Sequence, residues 1–249
     1  MSKTWIWSDQ HFGHEKTCTV FKRADGTPLR PFTSAEEMNE VMVARNNERV
    51  SPNDRVYYLG DVVINRKFLK ILDRLNGRKV LIKGNHDIFK IDDYAAYFDD
   101  IRGYHVLNGI ILSHVPVHPE SLARFGCNVH GHLHANRVRR PSKIDRLGTS
   151  PCVEYSDEID PNYYNVSVEC TDFAPITLED LYERIQAQGG HVGYKFAKHH
   201  AMNCGDPKCV MCANPRRTFK ELTAQEQRLF QDLDSPNDRH SNGLPPKQD

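Results

Sequence analysis

Five short fragments place oxygen and nitrogen donors at the ends of hydrophobic runs: Asp9-x-His11, Gly60-Asp61, Gly84-Asn85-His86-Asp87, Ser113-His114 and Gly131-His132-x-His134. Together they specify a two-metal site. Asp9 and His11, two residues apart where a strand ends, direct both side chains to one rim once the backbone turns. His132 and His134 do the same from another strand. Such pairs chelate, and carboxylate with imidazole suits manganese, iron or zinc, whereas an all-oxygen set would suit magnesium or calcium. Two ions need a shared ligand. Asp61 is the natural bridging carboxylate, because Gly60 before it lets the backbone approach closely. Singly the fragments say little: Asp-x-His pairs are common on surfaces, and Gly-Asp or Gly-Asn-His-Asp also suits a tight turn. Their order along one chain carries the specificity.

That order resembles the calcineurin-like metallophosphoesterase superfamily, over residues 4 to about 185. The resemblance implies an α/β fold, a β-sandwich of two mixed sheets flanked by helices (α-β-β-α), with a dinuclear centre. It implies that Asp9, His11 and His134 hold one ion, that Asn85, His114 and His132 hold the second, and that Asp61 holds both. His86 would contact the phosphate and protonate the leaving oxygen, not ligate. Two cations about 3.5–4 Å apart lower the pKa of a bridging water and clamp the phosphoryl oxygens, so that hydroxide attacks phosphorus in line. Asn85 would add a ligand oxygen without further negative charge facing an anionic substrate. Asp87 either orients the His86 imidazole or caps a turn.

The chain departs from the phosphoprotein-phosphatase branch, which carries an arginine soon after Gly-Asp and a Gly-Asn-His-Glu; here the residues read Gly60-Asp61-Val62-Val63-Ile64-Asn65 and Gly84-Asn85-His86-Asp87. Ser8 to His14 and the compact spacing look more like the small bacterial and phage phosphoesterases. His14, Asn65 and Arg66 are candidate substrate contacts. His130 is left outside the site, and Arg139, Arg140, Lys143 and Arg146 are interleaved with acids as on a solvated loop.

The donors need strands to deliver them. The runs Trp5-Ile6-Trp7, Val56-Tyr57-Tyr58-Leu59, Val80-Leu81-Ile82, Ile110-Ile111-Leu112 and Cys127-Asn128-Val129 each end just before a donor set. That is where open sheets bind ligands. Between them, Thr33 or Ser34 opens a helix with Glu36 and Glu37 in capping-box position, ending before Ser51-Pro52. A second helix is expected from about Arg66 to Leu75, with Phe68, Leu72 and Leu75 on one side and Gly77 as its stop. This alternation favours a parallel core. Residues 12 to 32 read as a long loop. Asn108-Gly109 marks a hairpin between Tyr104–Leu107 and Ile110–Leu112, opening an antiparallel section that Cys127–His130 and Tyr163–Val168 extend. Thr177-x-x-Asp180 starts a last helix stopped at Gly189-Gly190. The stretch from His134 to Tyr163 is longer than the usual connection of about 4–6 residues and is a candidate substrate-facing loop.

Lysine plus arginine and aspartate plus glutamate are equal at 33 each, so no global field steers the chain toward nucleic acid or an anionic membrane. The first apolar stretch stops at Trp7, and no run approaches the roughly 20 residues of a membrane span; a soluble, cytoplasmic protein is expected. Seven cysteines with no pairing pattern indicate reduced thiols.

Residues 1–188 form the expected catalytic domain. Residues 189–220 are a Cys/His-rich segment in which His200 (or His199), Cys204, Cys209 and Cys212 would make a zinc-knuckle-like extension around one structural zinc. Lys195, Lys198, Lys208, Arg216, Arg217 and Lys220 would give it a basic face, for nucleic acid or for the acidic tail. Residues 221–249 are expected to form a short helix and a mobile polar tail.

The functional expectation is a dinuclear metal-dependent phosphoesterase, acting on a mono- or diester of a small phosphorylated compound or nucleotide. The alternative is a nuclease for RNA or DNA that grips through the basic segment. A non-catalytic scaffold ranks below both, since all seven ligands and His86 are present.

Overall fold

A computed structural model describes residues 2–143 and 154–193. Its first strands follow the alternation of side chains along a pleated backbone. In β1 (Thr4–Trp7), β2 (Arg55–Tyr58) and β3 (Arg78–Ile82), Trp5, Trp7, Val56, Tyr58 and Leu81 fall in one buried cluster. Ile6, Tyr57, Leu59, Val80 and Ile82, the intervening residues, fall in another. A strand with both faces buried has to read as a continuous apolar run, and these do.

β1, β2 and β3 are parallel neighbours, and β4 (Asp100–Arg102) extends them in parallel. The first cluster is closed by α2 (Ala35–Arg49), which buries Met38, Met42 and Val43 and follows the short α1 (Lys16–Thr19) inside the expected loop. Ser34 is the N-cap of α2: its side chain accepts from the Glu37 N–H, while the Glu37 carboxylate reaches back to Thr33. The expected second helix is a 3-10 run from Arg66 to Arg74. It buries Leu69, Ile71 and Leu72, and its C-cap Leu75 is buried beyond it. A third helix, α3 (Ile91–Ala95), comes after the third donor fragment.

The second sheet begins with the hairpin of β5 (Tyr104–Leu107) and β6 (Ile110–Ser113), antiparallel as expected. Asn108 and Gly109 both take the left-handed backbone, φ 49° and 83°, that a two-residue turn of this hand requires. The antiparallel expectation fails after β6. β7 (Asn128–His130) joins β6 in parallel, and β10 (Tyr163–Asn165) joins β7 in parallel. Fourteen residues, 114–127, separate β6 from β7, enough for the crossover a parallel pair needs. Ile110, Leu112, Val129 and Tyr164 of this sheet share the second cluster with the first sheet, so the two sheets pack face to face.

The stretch after His134 forms the ladder of β8 (Arg139–Lys143) and β9 (Glu154–Ile159). The described part is thus a ladder and not the irregular loop expected, and in it the exposed Arg139 pairs with Asp157 and Arg140 with Glu158. β11 (Ile176–Thr177) runs antiparallel on the free edge of β1 and leads into α4 (Leu178–Ala187), whose N-cap Thr177 accepts from the Asp180 N–H. α4 buries Leu178, Leu181 and Ile185 in the second cluster, and Val192 packs there after the Gly189-Gly190 stop. Among the described residues no helix is long and apolar enough to cross a membrane. The expected zinc ligands His200, Cys204, Cys209 and Cys212, with Lys195 to Lys220 and the tail 221–249, lie outside the described residues.

Candidate metal centre

Where β1 ends, its pairing with β2 continues through the donor loop: the Asp9 N–H donates to Gly60 O (3.1 Å) and the His11 N–H to Asp61 O (3.0 Å). Both members of each x-separated pair then take the left-handed backbone, at φ 59° for Asp9, 48° for His11, 67° for His132 and 50° for His134; Asp61 does so at 55°. Each such residue costs about 1–2 kcal/mol relative to the right-handed form. A strand would send residues i and i+2 outward along the sheet; these turns bring them to the strand ends instead.

Two groups of three result, Asp9 with His11 and His134, and Asp61 with His114 and His132, the donor atoms of each lying within 4.8 Å of one another. Asp61 joins them. Its Oδ2 stands 3.6 Å from His11 Nε2 in the first group and 3.3 Å from His114 Nε2 in its own. Asn85 Oδ1 lies 2.9 Å from the same His114 nitrogen, bringing the neutral donor into the second group.

Each carboxylate divides its oxygens between two tasks. Asp9 Oδ2 is held by the Ser8 hydroxyl (2.7 Å), the His132 N–H (2.9 Å) and the Ser167 hydroxyl (3.0 Å). Asp9 Oδ1, fully buried, has no hydrogen-bond partner and faces His11 Nε2 at 3.8 Å. Asp61 Oδ1 accepts the His86 N–H (2.7 Å), leaving Oδ2 for the imidazoles. Neither ring nitrogen of buried His11 has a hydrogen bond among the described residues, and the same holds for Asp9 Oδ1. Unpartnered buried donors and acceptors cost on the order of 1–3 kcal/mol apiece, a cost that a coordinated cation removes. On these grounds the two groups could each hold a metal ion.

The histidine tautomers are set from behind. His114 Nδ1 meets Leu59 O at 2.8 Å, and His134 Nδ1 meets Glu169 Oε1 at 3.0 Å, so that in both rings Nε2 is the nitrogen presented to the centre. Glu169 is itself gripped by Arg30, fully buried, whose Nε donates to Glu169 Oε1 (2.8 Å) while Nη2 and Nη1 donate to Asp9 O (2.6 Å) and Gln10 O (2.7 Å).

Charge follows this layout. Burial raises the Asp9 carboxyl above its usual range and pushes His11 well below, keeping that imidazole neutral. Burial also works against an ionised Glu169, but Arg30 and His134 overcome it and hold the carboxyl near 2. At His114 burial is outweighed by the hydrogen bond and charge of Asp61, and the ring rises; at Asp61, correspondingly, burial loses to His114 and the carboxyl falls.

Of the two roles expected of Asp87, the turn cap is the one seen, and it reaches beyond its own turn. The carboxylate accepts the N–H groups of Gly84 (2.8 Å), Asp61 (2.8 Å) and Val62 (3.0 Å), clamping the loops after β2 and β3 together. This close approach explains two glycines: a Cβ at Gly84 would collide with the Asp61 carboxylate, and one at Gly131 with Ser8 Oγ and Asp9 Oδ2. His86, exposed, lies beside the group, its ring centroid 5.5 Å from that of His11. His14 is at 5.6 Å from His11, so it too borders the centre.

Asn65 and Arg66 are engaged elsewhere. The Asn65 side chain caps the 3-10 run by accepting from Lys67 N, and Arg66 forks onto both oxygens of Asp93 at 2.6 and 2.7 Å. His130 stays out of the site as expected, packed beside Tyr163 with burial lowering its ring to about 4. Sequence reasoning missed Ser8, Arg30, Ser167 and Glu169. A signal existed for the last two, because Ser167 lies within the expected strand Tyr163 to Val168 and Glu169 directly follows it, as the donors follow the other strands.

No protein-family model matches the chain. It is 30% identical over 194 residues to MJ1445, an uncharacterized protein of Methanocaldococcus jannaschii, a match covering 75% of this chain and 93% of that one. The chain belongs to the family of that protein. Among solved structures, a protein of unknown function from Aquifex aeolicus, AQ665, is 23% identical with a TM-score of 0.49, over 74% of this chain and all of the other. Neither of these two proteins is described with an activity.

Proposed function

We propose that the protein is a dinuclear metal-dependent phosphoesterase, hydrolysing a phosphate mono- or diester. The observation that carries this reading is the single Asp61 oxygen facing an imidazole from each of two adjacent donor groups. The resemblance of the ordered fragments to calcineurin-like metallophosphoesterases supports it, and under this reading the two face-packed sheets are that superfamily's sandwich. Asp9, His11 and His134 would hold one ion, Asn85, His114 and His132 the other, and Asp61 both. Bound divalent cations would supply Lewis acidity, activating water at neutral pH and neutralising charge on the phosphoryl oxygens.

The chain's own residues do the rest. The backbone N–H of His86 donates to Asp61 Oδ1, which ties the residue to the centre, and its exposed imidazole delivers a proton to the departing oxygen as general acid. Asp87 keeps the His86 loop against the Asp61 loop, so acid and ligand hold one geometry. Arg30 and Glu169 fix the orientation of His134, and Leu59 O that of His114.

The test is hydrolysis of p-nitrophenyl phosphate and bis(p-nitrophenyl) phosphate by metal-stripped protein reloaded with manganese, iron or zinc. Turnover that returns with metal and disappears in Asp61→Asn is expected. A wild-type protein inert with all three metals on both esters would overturn the reading.

A further inference from the structure

Two cavities take their walls from different members of the donor set. One, of about 550 Å³, includes His132 and His134 and is faced by Lys22 and Arg23 on the loop after α1. The other, of about 430 Å³, includes Asn85 and His114 and is lined by Tyr104, Val115 and Val117 together with Lys83. Each volume lies in the range of small-molecule sites, roughly 300–1,000 Å³. The cavities are neighbours through the centre itself, since the His132 and His114 rings, one from each wall, are 5.1 Å apart.

The two walls differ in chemistry. Lys22 and Arg23 are exposed cations; Asp25 is beside them, but its Oδ1 accepts from the Thr27 N–H (2.9 Å) and hydroxyl (2.6 Å), and the three together leave an excess of one positive charge. The other wall carries one cation, Lys83, and is otherwise mainly apolar and aromatic, where the first sets two adjacent cations side by side. Tyr104 is 65% and Val115 47% exposed, an arrangement that leaves surface unpacked against the protein but fits a flat ring.

We propose that these cavities seat the two arms of a phosphodiester: a nucleoside base against Tyr104, and a second phosphate of the same substrate against Lys22 and Arg23. The substrate class is thus a nucleotide diester with a further phosphate, such as a phosphorylated dinucleotide. This rests on the phosphoesterase reading above. In the reaction, the oxygen of water bonds to phosphorus and water's proton is released to solvent, the P–O bond to one arm breaks, the leaving oxygen takes the proton of His86, and His86 regains a proton from solvent, so a diester and water become a monoester and an alcohol.

The experiment compares dithymidylate with and without a terminal phosphate, using manganese-loaded full-length protein. Wild type should show a KM about fivefold lower for the phosphorylated form at low salt, a preference that shrinks as salt rises. Lys22→Ala with Arg23→Ala should abolish it. Tyr104→Ala should raise KM for both dinucleotides about tenfold, with Tyr104→Phe restoring it, as loss of one base–aromatic stack predicts. Calorimetric titration of the product-like thymidine bisphosphate and monophosphate should reproduce the Lys22/Arg23 effect without turnover. A terminal phosphate without effect, or a KM indifferent to Tyr104, in a protein that cleaves bis(p-nitrophenyl) phosphate would overturn the two-armed site and leave the phosphoesterase reading standing. A protein that cleaves no ester overturns both.

Discussion

The two donor groups of one centre are built to different standards. Asp9, His11 and His134 are backed by three hydrogen bonds on Asp9 Oδ2 and by the buried Arg30–Glu169 pair behind His134. Asp61, His114 and His132 have the Leu59 carbonyl behind His114, one hydrogen bond on Asp61 Oδ1 from the His86 N–H and the Asp87 clamp on the Asp61 backbone, but Asn85 and His132 are exposed. Rigidity behind a ligand lowers the cost of organising it around a cation, while exposure keeps the ligand hydrated and adaptable. On the proposed reading the first group would suit a resident ion, and the second one that exchanges or engages substrate. Asp61 is the hinge between them.

The severest way to break the contrast is to remove what the groups share. Asp61→Asn should cut kcat/KM at least about a thousandfold, roughly 4 kcal/mol of barrier. It should also leave the protein binding about one ion instead of two, as measured by elemental analysis after dialysis. Loss of both ions, or of neither, would show that the groups are not independent halves.

Next comes the brace. Arg30→Ala leaves the Glu169 carboxylate buried without its guanidinium, and breaking such a pair costs about 3–5 kcal/mol. Denaturant unfolding of the metal-free protein should show a loss of this size. Asn85→Ala in the exposed half should stay within about 0.5 kcal/mol in the same measurement. Equal losses would mean that the second group is as deeply built into the fold as the first.

How far this asymmetry was legible in the chain depends on which link is asked about. The donors themselves were readable because a two-face-buried strand leaves an unmistakable apolar run, and the residues after such a run must sit at the sheet's edge. Asn108-Gly109 and the caps at Ser34 and Thr177 were readable because local backbone geometry alone dictates those residue types. The brace was not. Arg30 and Glu169 are 139 residues apart, and nothing local marks either as buried. The parallel entry of β7 was equally hidden, since direction is set by how the crossover of residues 114–127 packs, and no residue type records it. Asp87 was half visible: its bond to Gly84 is local, but those to Asp61 and Val62 tie it to a loop more than twenty residues away.

A finer cut through the brace is Glu169→Gln, which keeps shape and can still accept from His134 Nδ1 while discarding the charge. Replacing such a partner of a ligating histidine typically costs ten- to a hundredfold in metal affinity. Calorimetric titration of stripped protein should show the tighter binding event weakened by about that factor and the weaker event unmoved. Movement of the weaker event instead would assign Glu169's influence to the wrong half of the centre.

The smallest effect comes from Ser167, whose hydroxyl lies 3.0 Å from Asp9 Oδ2 and 2.7 Å from Asn165 Oδ1. One hydroxyl proton cannot serve both acceptors, so its bond to Asp9 competes with a shorter one, and Asp9 Oδ2 keeps two other donors when it is gone. Ser167→Ala should therefore weaken the tighter ion only about three- to fivefold, under the roughly 1 kcal/mol of a typical hydrogen bond. Ser8→Ala should cost more, because Ser8 Oγ stands closer to the same oxygen, at 2.7 Å, and its alternative acceptor, Leu59 O, is 3.0 Å away and already meets His114 Nδ1. The order of these two losses reads out which donor orients the Asp9 carboxylate: if Ser167 proves the costlier, the free oxygen of Asp9 is aimed from the β10 side of the centre and the first group owes its rigidity to the second sheet.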